Sequence, residues 1–268
     1  MEINYQIISA FSSKEHNFKG NPAAVIISDQ FPEVEQMRRI AKELQQPATT
    51  FLVPEDGPGR FFVRWFAPDA EIGLCGHGSA AATAYLATAN GKYPAESYEL
   101  NSPEGMIKGV LNPDQTITLS LAPIELAEEI EIPLALREGL GIPLQTMYKT
   151  HNKHLIIADS QADIQSIKPD YQRLRDSDLF GYAVTAKGDE VDFVSRTFVP
   201  HTWQKEDYAT GSSHAILVPY WAKILNKNHL QSLQLSERGG AFDCRMGQGK
   251  VFLTGEYTPE RPGKVSLV

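Results

Sequence analysis

Two stretches of the chain carry residue types that can do chemistry. The first is Leu74-Cys75-Gly76-His77-Gly78-Ser79, which opens a run of small residues, Ala80-Ala81-Ala82-Thr83-Ala84. Glycines at a strand-to-helix junction let backbone N–H groups come close to a ligand. The helix N-terminus beyond them carries partial positive charge, so a carboxylate or phosphate binds well there. The stretch lacks the Gly-Lys-Ser/Thr ending of a nucleotide P-loop and the three-glycine dinucleotide fingerprint. It therefore reads as a small-anion site made by Gly76, His77, Gly78 and Ser79, although a plain glycine turn before a buried helix fits the same residues. Cys75 stands one residue ahead of those N–H groups. A thiol at a helix start has a lowered pKa and can carry a proton; the competing role is that of a small buried hydrophobe. His77 either donates to a substrate oxygen or caps the helix.

The second stretch is Glu206-Asp207-Tyr208-Ala209-Thr210-Gly211-Ser212-Ser213. Its spacing echoes the first. Phe66-Ala67-Pro68 returns as Phe198-Val199-Pro200, an offset of 132, and Gly78-Ser79 returns as Gly211-Ser212, an offset of 133. Asn21 ahead of Ala24-Val25-Ile26-Ile27 and Asn152 ahead of Leu155-Ile156-Ile157 give 131. Three anchors near half the chain length point to a duplicated fold, with two similar surfaces and room for a ligand between them. In that alignment Asp207 lies where the first half places its cysteine region. Its carboxylate can take or return a proton, or merely cap the following turn. Thr210, Gly211 and Ser212 form the second binding set. His151-Asn152-Lys153-His154 resembles metal spacing only loosely, so no metal is expected. No Gly-x-Ser-x-Gly elbow occurs, and Cys244 has no chemical context and reads as packing.

These residues need elements to hold them. Short apolar runs predict strands at Ile3–Ile8, Ala23–Ile27, Thr49–Val53, Phe61–Phe66, Met106–Val110, Thr116–Leu121, Leu155–Ala158, Tyr182–Ala186, Val191–Phe198 and Val251–Thr254. A helix starts at Pro32 and runs through Val34, Met37, Ala41 and Leu44, ending at Pro47. Weaker helices are expected at Ile164–Arg173 and at Leu217–Leu225, the latter disturbed by Pro219. The small-residue run after Gly78 has no polar face, which suits a central helix wrapped by sheet. Strands outnumber helices, and the fold class is α+β with halves 1–122 and 123–268.

Bulk properties exclude several classes. The chain has 268 residues, 42% apolar and 22% charged, enough for one large or two ordinary domains. A net charge of −8 and the lack of any basic run argue against nucleic-acid or anionic-membrane partners. No apolar stretch approaches the ~20 residues of a membrane span, and Met1–Gln6 lacks a signal-peptide layout. Two distant cysteines suggest a cytoplasmic protein with reduced thiols.

In order along the chain come Gly20-Asn21-Pro22-Ala23-Ala24-Val25, Phe66-Ala67-Pro68 with Glu71, Gly76-His77, and Glu206-Asp207 followed by Thr210-Gly211-Ser212. Together they resemble the phenazine-biosynthesis (PhzF-like) isomerase family, over nearly the whole chain. The resemblance implies a diaminopimelate epimerase-like fold of two similar halves, each a sheet curled around a central helix, with the active site in the cleft between them. It implies a small carboxylate substrate, no metal, no organic cofactor, and usually a homodimer. Gly76 and His77 match the family's substrate-holding pair, and Asp207, Gly211 and Ser212 its second-half binding and proton-handling residues. One departure matters. The family's principal acid/base is a glutamate just before a Thr-Thr-Phe stretch; here Thr49-Thr50-Phe51 is present, but Ala48 stands in that place. Glu43 matches a different glutamate, inside the helix. Cys75 occupies the slot of a catalytic cysteine of the epimerases, whose partner cysteine would fall near Tyr208. The expectation is an isomerase using Cys75 and Asp207 as proton carriers. A lyase on the same fold and a non-catalytic binder of small carboxylates are the alternatives. Thr258–Gly263 has no clear counterpart in the family.

Overall fold

A computed structural model of the chain describes residues 2–89 and 91–266. It divides into two compact units, Met1–Leu121 with Leu253–Val268, and Ala122–Phe252. The division expected at 122/123 kept the terminal segment with the second half, whereas Leu253–Val268 lies with the first. The cause is strand pairing, described below.

The first unit contains β1 (Glu2–Ser12), β2 (Asn21–Ile27), α1 (Val34–Leu44), β3 (Ala48–Pro54), β4 (Arg60–Phe66), β5 (Glu71–Ile72), α2 (Gly76–Thr88), β6 (Tyr98–Ser102), β7 (Gly105–Leu111) and β8 (Ile117–Leu121). The second contains β9 (Glu129–Ile130), α3 (Leu134–Leu140), β10 (Leu144–Tyr148), β11 (His154–Ala158), α4 (Gln161–Ser166), α5 (Tyr171–Leu174), β12 (Tyr182–Lys187), β13 (Phe193–Val199), β14 (Lys205–Asp207), α6 (Gly211–Leu225), β15 (His229–Gln234) and β16 (Gly240–Gly247). β17 (Lys250–Ser266) follows.

The pairing pattern is written twice. In the first unit β1 and β2 are antiparallel, β2 and β3 parallel, β3 and β4 antiparallel, β4 and β5 antiparallel, β4 and β6 parallel, β6 and β7 antiparallel. In the second unit β10 and β11, β11 and β12, β12 and β13, β13 and β14, β13 and β15, β15 and β16 repeat those relations in the same order. α2 and α6 occupy the same place in the two series, between the short fifth strand and the strand after it.

α2 is buried on nearly every side, from Gly76 to Ala84 and at Leu86. It packs against β1, β2, β3, β6, β7 and β8, the sheet-wrapped helix that its small residues predicted. Its hydroxyls turn inward on the helix itself: Ser79 Oγ donates to Cys75 O at 2.7 Å and Thr83 Oγ1 to Ser79 O at 2.9 Å. Such back-bonding satisfies polar groups that have no water to face.

Three helix expectations need correction. α1 begins at Val34, not at Pro32, with Glu33 as N-cap; the Gln36 side chain accepts from the Glu33 backbone N–H at 3.1 Å and fixes the start there. α6 runs unbroken from Gly211 through Pro219 to Leu225. Pro219 has no N–H for the carbonyl of Ala215, and the Ile124 N–H bonds that carbonyl instead, at 2.9 Å. The span expected as one helix over 164–173 is two short ones, α4 and α5, parted by Lys168-Pro169, where the proline disfavours helix in the residue before it.

The Thr258–Gly263 segment lies within β17, which pairs antiparallel with β1 from Glu2↔Ser266 to Ser12↔Glu256 and also pairs with β8. Between Gln6↔Pro262 and Ile8↔Pro259 the register slips, giving a bulge in which prolines are tolerated. No helix among the described residues is long and apolar enough to cross a membrane.

Candidate active site

In the first unit the candidate residues converge on one glycine. Cys75 is the N-cap of α2, in extended backbone (φ −126, ψ 105), and its Sγ accepts from the Gly78 N–H at 3.4 Å. The thiol is 4% exposed. The His77 ring lies against it, Nδ1 at 3.6 Å and Nε2 at 3.8 Å from Sγ. A Cβ on Gly78 would meet Trp65 Cδ1 at 2.8 Å, Thr50 Oγ1 at 2.9 Å and Cys75 Sγ at 3.0 Å. Three side chains thus crowd the first turn of α2, and only glycine admits them. Thr50 and Trp65 face each other across β3 and β4, and the period of two puts Ala48 on the same face as Thr50. Ala48 is fully buried.

In the second unit Thr210 is the N-cap of α6, with backbone angles close to those of Cys75 (φ −117, ψ 100). The counterpart of Cys75 is therefore Thr210, and that of Gly76 is Gly211, an offset of 135. This corrects the sequence alignment, which matched Gly78 with Gly211, set Asp207 opposite the cysteine, and put the second cysteine's place near Tyr208. The charged pairs fix the register independently. Arg64 holds Glu71 by two bonds, Nε–Oε1 at 2.7 Å and Nη2–Oε2 at 2.8 Å. Arg196 holds Glu206 in the same way, at 2.7 and 2.8 Å. Glu71 to Glu206 is again 135, so Asp207 is the counterpart of Ile72. The Arg64 hydrogen bonds keep the Glu71 carboxyl below its ordinary pKa.

Asp207 is partly buried, and its Oδ2 accepts from Thr210 Oγ1 at 2.8 Å. Gln234 clamps the same turn: its Oε1 accepts from the Thr210 N–H at 2.8 Å and its Nε2 donates to Asp207 O at 2.6 Å. Below the cap, the fully buried His214 donates from Nδ1 to Thr210 O at 2.9 Å, and Ser232 Oγ donates to its Nε2 at 3.0 Å. A carbonyl can only accept, so the ring is the neutral Nδ1–H tautomer. Burial pushes its pKa down to about 4. Cys244 Sγ lies 3.6 Å from Ser232 Oγ, and burial pushes its thiol up to about 12, in keeping with a packing role.

Sequence reasoning missed Lys153. It is 8% exposed, and its Nζ donates to Ser212 Oγ at 2.9 Å and to Asn152 Oδ1 at 3.1 Å. Nζ also stands 5.8 Å from the centre of the Phe180 ring. The signal available was a lysine next to Asn152 and the apolar run of β11. Among the described residues no group of three or more His, Cys, Asp or Glu could hold a metal ion.

The family model described as phenazine biosynthesis-like protein (PhzC-PhzF) matches residues 8–260. The chain is similar to an "uncharacterized isomerase" of Pseudomonas aeruginosa, 34% identical over 267 residues and 100% of both chains. It is also similar to the crystal structure of a PhzF-family phenazine biosynthesis protein from Enterococcus faecalis, with a TM-score of 0.88 at 34% identity, over 99% of this chain and 100% of that one. A hydroxyproline epimerase from Agrobacterium vitis, crystallised with trans-4-hydroxy-L-proline, matches with a TM-score of 0.65 at 12% identity, over 98% and 92%. That last likeness shows the fold alone, the α+β epimerase-like fold expected from the doubled sequence.

Proposed function

Because the chain belongs to the phenazine biosynthesis-like family, we propose that it is an isomerase that moves a proton at a carbon next to a carboxylate, using Cys75 as one proton carrier. The observation that carries this reading is the Cys75 thiol seated at the start of α2, hydrogen-bonded to the Gly78 N–H and touching the His77 ring. The names of relatives and neighbours, isomerase and epimerase, support the same reaction class.

The chemistry follows from the charges. Removing a proton beside a carboxylate leaves an enediolate-like anion. N–H groups at the start of a helix stabilise that anion as it forms, by roughly 3–4 kcal/mol per well-aimed donor. A thiolate takes the proton and the resulting thiol returns one, and such acid–base help is worth a factor of about 10² to 10⁴. Gly76, His77, Gly78 and Ser79 hold the substrate. Within the second unit, Asp207, which accepts from Thr210 Oγ1, is the candidate for proton transfer, and Gly211 and Ser212 are the candidates for binding. No organic cofactor is required for this chemistry.

A second reading rests on Ala48. It is buried, with no acid/base group, on the face of β3 that Thr50 presents to α2. A protein without that carboxylate could bind a small carboxylate and not turn it over. The test is proton NMR in heavy water with single enantiomers of small hydroxy and amino acids. Loss of an α-proton signal only when the protein is present supports the isomerase. A thermal shift by an acid with no exchange at its α-carbon supports the binder. Release of water with an unsaturated product points to a lyase instead.

A further inference from the structure

Trp65 is fully buried, and its indole Nε1 has no hydrogen-bond partner among the described residues. An orphan donor of this kind, sealed from water, is uncommon in a folded protein and calls for an acceptor. Its position says which. The indole presents its Cδ1 edge, the carbon bonded to Nε1, to the first turn of α2, 2.8 Å from the point where Gly78 would carry a Cβ. Cys75 Sγ and Thr50 Oγ1 crowd the same point, but Thr50 Oγ1 already donates to Gly78 O and neither bonds the indole. The indole edge that carries the donor therefore stands beside the thiol and the helix start, with no acceptor for the N–H among the described residues.

We propose that the Trp65 indole N–H is a hydrogen-bond donor to the anion of a small carboxylate bound at the start of α2, making Trp65 a binding residue of the site. The inference rests on the reading of α2 as the carboxylate hold. A carboxylate brings up to four acceptor sites, more than the helix amides use, so an in-plane indole donor adds to them rather than competing. An indole N–H only donates, so the site would take an ionised acid and discriminate against an amide that presents its NH2 in that place.

The test is proton–nitrogen correlation NMR of the whole ¹⁵N-labelled protein. The three indole signals are assigned by replacing Trp203 and Trp221 one at a time. Acetate and lactate are titrated to about 100 mM, where a millimolar Kd is saturated. The expected result is a downfield shift of the Trp65 indole proton on one binding curve with the Gly78 and Ser79 amides, and no such shift with acetamide or lactamide. Trp65→Phe, if folded, weakens binding about tenfold or more. Amide shifts without the indole shift would overturn this inference and leave the helix-start reading standing. No movement at α2 with either acid would overturn both.

Discussion

The guanidinium of Arg196 grips the carboxylate of Glu206 through two bonds, with only 10% and 12% of the two side chains exposed. The pair ties β13 to β14 immediately before Asp207, so it sets where the carboxylate and the α6 cap stand. Its counterpart, Arg64 with Glu71, does the same for β4 and β5 ahead of Cys75, but is more open, at 24% and 37%. Removing one partner from a buried pair strands a charge and costs about 3–5 kcal/mol, whereas an exposed pair is worth about 0–1 kcal/mol. Glu206→Gln should therefore destabilise the protein several-fold more than Glu71→Gln, as read from urea unfolding midpoints.

Gly78→Ala tests the crowding at the start of α2. The added methyl meets Trp65, Thr50 and Cys75 within 3.0 Å. Overpacking of this kind costs about 1–3 kcal/mol. A stability equal to that of the parent would mean that the three side chains are looser than their positions imply.

Stability should fall on acidification because of His214. Its folded pKa is about 4 because burial opposes the charge, against ~6.5 in the unfolded chain. Between those values the unfolded state binds a proton that the folded state does not, so stability drops as pH falls from about 6.5 toward 4, by up to about 1.4 kcal/mol per pH unit. Urea unfolding at a series of pH values measures the slope, and His214→Gln should flatten it.

Lys153→Met should lower stability by about 1.5–3 kcal/mol, the net worth of hydrogen bonds from a charged donor. The loss arises because Ser212 Oγ and Asn152 Oδ1 both lose the ammonium. Chemical denaturation checks it, and a double-mutant cycle with Ser212→Ala isolates the Ser212 share.

Much of this architecture was legible in the chain. Pro68 and Pro200 sit at the ends of equivalent strands, and the small-residue run after Ser79 told of a helix with no surface. What misled was the connection length. Two residues separate Pro68 from Glu71, but five separate Pro200 from Glu206, so the offset grows from 132 to 135 and short glycine anchors cannot reveal the jump. Pro219 suggested a broken helix because the rescue of Ala215 O comes from Ile124, far away in sequence. Lys153 entered the sequence reading only within the loose metal-like spacing of His151-Asn152-Lys153-His154, because its contacts with Ser212 and Phe180 are made only by the tertiary fold. The orphan donor of Trp65 was equally invisible, since a missing partner has no sequence pattern.

The role of Cys75 is tested most directly by deuterium incorporation at the α-carbon of a substrate found by the heavy-water screen, comparing the parent with Cys75→Ser. Serine offers the Gly78 N–H an oxygen in place of Sγ but ionises far less readily than a thiol. The expected result is a folded variant whose exchange falls by about 10² or more. Exchange at the parent rate in Cys75→Ser would contradict the account.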